Sequence, residues 1–242
     1  MVTAAAYGFG LAFVLAAVHL TAGQLVERTR LPRRALLSLA GGTTVAYVIV
    51  LILPEVNQAV LTVVEGGGAM SGFFARVEEV YVVVLAGFAA FYGIHVFVTT
   101  ARRESAESAD LTFWTHVAVF SCYDALIGYL LFHQELPGVR PVFLYAVTMG
   151  LHFLVTDAGL RRHHGRAYLR VGRWVLAGSV LVGAFVGYGT NVDETVLALL
   201  FAFLAGSIVF NVLVEELPSV DWRRFASFLV GAAAYTWLLL LQ

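Results

Sequence analysis

Apolar residues in this chain run in long uncharged blocks and do not alternate with polar ones. A helix needs about 20 mainly apolar residues to cross a bilayer. Blocks of that length fall at residues 4–26, 35–53, 80–100, 111–132, 141–160, 174–192, 195–214 and 222–242. The pattern predicts an all-α integral membrane protein with eight transmembrane helices, forming a single membrane domain over 1–242. The first block has no positively charged residue before it and matches the others in length, so it reads as a span and not as a signal peptide. Composition agrees: 60% of the residues are apolar and 13% charged, against roughly 45–50% and about 25% in a soluble globular domain. So little charge cannot cover a water-facing surface. A disordered chain, a nucleic-acid partner bound through a basic patch and an ordinary cytosolic enzyme are excluded.

Arginines assign sides to the loops, because basic residues collect on the cytoplasmic face. Thirteen of the fifteen lie in loops 1–2, 3–4, 5–6 and 7–8, from Arg28 to Arg224. The opposite loops have only Arg76 and Arg140, with Glu55, Glu65, Glu78, Glu79, Glu135, Asp193 and Glu194. The expectation is a multi-pass protein of the cell membrane with both termini outside.

A shift of 164 positions aligns Gly42–Val56 with Gly206–Val220, with identities at Gly42/Gly206, Val45/Val209, Val48/Val212, Val50/Val214, Leu53/Leu217, Pro54/Pro218 and Val56/Val220. Spans 2 and 7 cross the bilayer in opposite directions, so the two copies are inverted. Inverted repeats mark secondary transporters, whose sites lie near the midplane between the halves. Residues 1–100 and 174–242 would then be the three-helix repeats, and 111–160 a central helix pair.

The positive residues are all arginine, so Schiff-base chemistry on a lysine, retinal attachment included, is excluded. A single cysteine, Cys122, excludes an internal disulfide and a thiolate metal cluster. Ionisable residues inside hydrocarbon are costly and point to function. Asp124 lies near the middle of span 4, with Ser121 and Gly128 on its face. Span 5 adds His152, with Thr156 and Gly159 on one stripe, while Asp157 is about 140° round the helix from His152. Imidazole, carboxylate and hydroxyl together suit a borderline divalent cation such as zinc, manganese or iron. His116, one turn before Phe120 on the Asp124 face, is a further candidate ligand.

Three segments resemble the ZIP family of divalent metal transporters: Ala205–Pro218 in span 7, ending Glu215-Glu216-Leu217-Pro218; Leu53-Pro54-Glu55 at the end of span 2; and Ala86–Tyr92 in span 3. The eight spans, outward termini and inverted 3+2+3 arrangement match that family's plan too. The resemblance implies a metal site on spans 4 and 5. The family's span 4 reads His, Ser or Asn, two variable residues, an acid and Gly; this chain has Phe120 for the His, keeps Ser121 and Asp124, and has Ala125 for the Gly. The family's span 5 reads His-Glu-x-Pro and then His or Glu; His152 is kept, and Phe153, Val155 and Thr156 replace the rest. The double-metal centre cannot be assembled from these residues. What the resemblance implies is one divalent cation, as substrate, held by Ser121, Asp124 and His152, with Thr156 offering a weak oxygen and His116 and Asp157 nearby.

No organic cofactor, covalent chemistry or catalytic residue is implied, and the partners are the bilayer, the cation and, in one arrangement, a second copy of the chain as a homodimer. A membrane hydrolase lacks any nucleophile-elbow sequence. Loop residues His163 and His164 read as solvated surface, and Glu65-Gly66-Gly67-Gly68 as a flexible loop. Two alternatives remain open: a non-transporting relative that keeps the fold as a regulatory or structural subunit, and a membrane cytochrome holding haem between His19 and His95.

Overall fold

The computed structural model describes residues 2–28, 32–58, 78–104, 108–134, 139–215 and 221–241. Among these the chain is helical, without a strand. In chain order the helices are α1 (Val2–Arg28), α2 (Arg33–Tyr47), α3 (Glu78–Glu104), α4 (Ser108–Leu130), α5 (Val139–Ala167), α6 (Arg173–Gly189), α7 (Glu194–Glu215) and α8 (Trp222–Leu240). Two π-helical turns widen the backbone: Val48–Ile52 extends α2, and Tyr168–Gly172 joins α5 to α6. Near the end of α5 the helical path breaks at Gly165 (φ 50°, ψ −115°). A residue without a Cβ takes that positive φ without strain.

Five stretches among the described residues are long and apolar enough to cross a membrane: Ala5–Ala22, Arg33–Gln58, Glu79–Ala101, Val139–Gly189 and Glu194–Val214. Val139–Gly189, at 51 residues, takes in the block 141–160 and most of the block 174–192. The remaining two, α4 and α8, are outside this set. His116, Asp124 and several hydroxyls lower the mean hydropathy of α4, and α8 opens on Arg223 and Arg224. Polarity is inverted relative to a water-soluble bundle. Phe13, Leu85, Val182 and Val230 are more than half exposed, whereas His19, Asp124, His152 and Asp157 are buried. Such a surface is solvated by hydrocarbon, and its ionisable groups face protein.

Helices approach along glycine seams. α2 packs on α8 and α3 on α7; a Cβ at Gly42 would overlap the Phe228 carbonyl oxygen, and one at Gly206 would overlap that of Val84. Without side chains at these points the backbones close on each other, the usual way helices associate where no hydrophobic effect drives them together. α4 meets α6 in the same manner at Gly128 and Gly183. α5 lies between α1 and α2, and it carries the buried polar residues His152, Thr156 and Asp157.

Helix ends are tied down. The Thr195 backbone N–H donates to Asp193 Oδ1 at 2.9 Å and that of Arg223 to Asp221 Oδ1 at 2.9 Å, so an aspartate caps the start of both α7 and α8. Hydrogen bonds from the Thr195 side chain and backbone hold the Asp193 carboxyl below the usual carboxylate range. At the far end of α8, Arg140 Nη1 donates to the Leu241 carbonyl at 2.8 Å. The Leu217-Pro218 anchor of the second repeat copy and the Glu65–Gly68 loop lie outside the described residues.

Candidate functional site

Asp124 projects from α4 into the bundle, where its side chain is fully excluded from solvent. It does not turn to His152. The group beside it is His19 of α1, whose Nε2 lies 3.4 Å from Asp124 Oδ2. The other nitrogen of the same ring, Nδ1, is 2.9 Å from Asp157 Oδ1 on α5. A single imidazole therefore separates two buried carboxylates from two different helices. The Tyr168 hydroxyl, in the π-helical turn, also donates to Asp157 Oδ1. A π turn shifts side-chain phase along a helix and is frequent at functional sites; here it carries the residue that meets Asp157.

The 100° step of an α-helix explains the division of labour on α5. His152 and Thr156, four residues apart, share one face, and the neighbouring Asp157 points elsewhere. His152 Nε2 lies 3.1 Å from the Tyr123 hydroxyl of α4 and 3.5 Å from Thr156 Oγ1. Asp157 reaches α1. Phe153, which stands where the resemblance would place a glutamate, packs on the His19 ring with centroids 4.2 Å apart. Ser121 is on α4 with Asp124, its Oγ buried and without a hydrogen-bond partner among the described residues.

His116 is separated from this group. Its Nδ1 is 2.7 Å from His164 Nε2, and the ring of His163 is 6.4 Å away between centroids. His163 and His164 belong to the last turns of α5, where the sequence suggested a loop. Two of these, His116 and His163, line a second, small cavity of about 60 Å³ together with His95, Thr156 and Asn211. His95 packs against the Phe210 ring of α7 with centroids 5.9 Å apart, and both nitrogens of His19 face carboxylates. The two histidines considered as haem ligands thus have separate partners.

Three features give the His19 cluster its chemistry. First, a neutral imidazole has one N–H for two carboxylates, and a doubly protonated ring serves both. Second, both Asp124 oxygens and Asp157 Oδ2 are buried without a hydrogen bond among the described residues, an arrangement that favours a cation or a proton at these oxygens. Third, a cavity of about 460 Å³ reaches the cluster and has His19, Asp157 and Tyr168 in its wall. Among the described residues no three His, Cys, Asp or Glu side chains already converge as metal ligands do; in the cluster the imidazole lies between the two acids.

His19 and Tyr168 are the residues that the motifs on spans 4 and 5 do not reveal. His19 did carry a signal, since a lone histidine in an uncharged span meets the same cost as Asp124. Tyr168 carried none, because it falls between the apolar blocks. Compared with known proteins, the chain matches no family model and no curated protein.

Proposed function

We propose that the chain is an eight-span carrier of ZIP-like plan in the cell membrane, with both termini outside, that moves a divalent cation of the zinc, iron or manganese class. The observation that carries this reading is the Asp124–His19–Asp157 cluster, in which one imidazole and two carboxylates from three helices meet in a solvent-excluded interior. These are ligand types for a borderline cation. The cation is substrate. It takes the place of protons on His19 and the carboxylates, so binding releases protons, and uptake runs as an exchange. His152 and Thr156 on α5 and Ser121 on α4 are further oxygen and nitrogen donors on the two helices that carry the carboxylates.

Pairing of the helices supports the inverted-repeat plan. If α2 corresponds to α7 and α3 to α8, the α2–α8 seam at Gly42 corresponds to the α7–α3 seam at Gly206, and these are equivalent positions of the sequence repeat. Exposed Val230, Trp237 and Leu240 on α8 suit a lipid-facing eighth span. Transport would rock the two three-helix halves against α4 and α5.

Purified protein in proteoliposomes, with a pH dye inside, tests the reading. Saturable uptake of zinc or manganese against an opposing proton flux is expected. H19Q, D124N and D157N should each reduce it at least tenfold, judged on inserted, folded protein because each change also removes a partner from the buried cluster. A parent protein that neither moves nor retains any of zinc, manganese or ferrous ion would leave the fold to a non-transporting subunit.

A further inference from the structure

The cavity of about 460 Å³ stops partway into the buried cluster. His19, Asp157 and Tyr168 are in its wall, whereas Asp124, on the far side of the imidazole, is not in its lining. All four side chains are buried, so the cavity ends on a closed surface. His19 is fixed in that surface by a carboxylate at each ring nitrogen and by Phe153 against its face. Asp157 stands on helical backbone within α5. Tyr168 is held differently. It opens the π-helical turn Tyr168–Gly172, three residues after the break at Gly165, and its hydroxyl bond to Asp157 Oδ1 joins it to the cluster. Its ring is seated over Gly172: a Cβ there would come within 2.7 Å of Tyr168 Cδ2, so the glycine leaves the room that the ring occupies.

We infer that Tyr168 gates the Asp157 carboxylate towards this cavity. Hinges are a few residues at element ends that absorb backbone rotation, often small ones, and Gly165 and Gly172 bracket Tyr168 in that way. With the hydroxyl on Asp157 Oδ1, one carboxylate oxygen is occupied and the ring closes the end of the cavity. A swing of segment 165–172 withdraws hydroxyl and ring together and opens Asp157, and His19 beside it, to the cavity. The hydroxyl is a neutral donor that satisfies the oxygen without supplying charge, so it yields to a cation that does. The gate acts on how fast the site exchanges, not on which ligands hold the cation. That it controls a cation rests on the carrier reading above; that it controls access to Asp157 does not.

Carbodiimide modification of Asp157 in the metal-free full chain, located by peptide mass spectrometry, tests access. A water-soluble carbodiimide arrives through the cavity, and dicyclohexylcarbodiimide arrives through the lipid. Changed protonation of the carboxyl alters both rates, whereas changed access from the cavity alters only the first. Y168F keeps the ring and loses the latch; G172A keeps the hydroxyl and takes the space of the ring. Each should raise the water-soluble rate at least tenfold and leave the dicyclohexylcarbodiimide rate near parental. G178A, with open space around it on α6, should react as the parent does. Zinc-loaded protein challenged with a chelator tests the cation. In Y168F uptake and release should quicken together and leave equilibrium retention close to parental, whereas loss of a ligand or a structural support would lower retention. Parental water-soluble rates in folded Y168F and G172A, or retention that falls in step with faster release, overturns the inference. A parent that retains no zinc counts against the carrier reading, and the carbodiimide rates then decide the gate alone.

Discussion

His19 on α1 and Asp157 on α5 are 138 positions apart in the chain, and the imidazole Nδ1 lies 2.9 Å from the carboxylate Oδ1. With Asp124 on the other side of the ring, this contact joins α1, α4 and α5 at one buried point. An ion-bearing junction inside a bundle holds its members in one register, because removing one partner strands the charge of another. Stability and the proposed cation binding therefore rest on the same three side chains.

Loss of His19 is the most damaging change expected among them. H19A leaves two carboxylates buried without the ring between them, and breaking such a pair costs about 3–5 kcal/mol. Thermal unfolding in detergent should show H19A well below the parent. H19A combined with D124N and D157N should recover part of the loss. A triple variant no more stable than H19A would place the damage in packing on Phe153 and not in charge.

Glycine seams predict a positional contrast. G42L and G206L push a side chain into a backbone carbonyl of the facing helix, and overpacking costs typically about 1–3 kcal/mol even where side chains can yield. Both variants should melt lower than the parent, or fail to accumulate in the membrane. G10L, at a position with open space around it, should behave as the parent. Equal behaviour of all three would remove the seams as the basis of helix pairing.

Sidedness can be read by labelling in a C122S background, which removes the native thiol on the exposed face of α4. Cysteines replacing Ser105 and Gly165 should react only from the cytoplasmic side, and one replacing Gly67 only from outside. Reaction of the Gly165 and Gly67 positions from the same side would sink the eight-span reading.

The α7 cap should weaken in acid. Folding holds the Asp193 carboxyl below its ordinary value through its hydrogen bonds with Thr195. A carboxyl depressed in the folded state adds stability above its unfolded pKa and loses it as pH falls through the folded one. Protection of the Thr195 amide from hydrogen exchange, corrected for the intrinsic rate, should decline across that acid range in the parent. In D193A protection should be low throughout and should lack this step.

The apolar blocks were enough to foresee a helical membrane protein, because lipid requires backbone polar groups to be satisfied within each segment and so leaves helices as the form such blocks take. Asp124 and Asp157 were legible for a related reason: a carboxylate in hydrocarbon stands out by its cost alone. The 100° helical step further separated Asp157 from His152, as the sequence suggested. Which groups those acids would meet was not legible. Asp124 meets His19 and leaves His152 to Tyr123, since the rotation of α1 about its axis, set by packing against α5 and α6, decides which residue faces inward. His116 shows the same limit: it shares a face with Asp124 on α4 but faces His164 across to α5. The cavity beside the cluster is a further case, because Arg33, Arg161 and Arg173 are spread over separate helix ends that only the fold draws around one space. Local sequence fixes what each residue costs in a membrane, whereas the meeting of side chains from distant helices depends on backbone approach, which the glycine seams and π turns set in three dimensions.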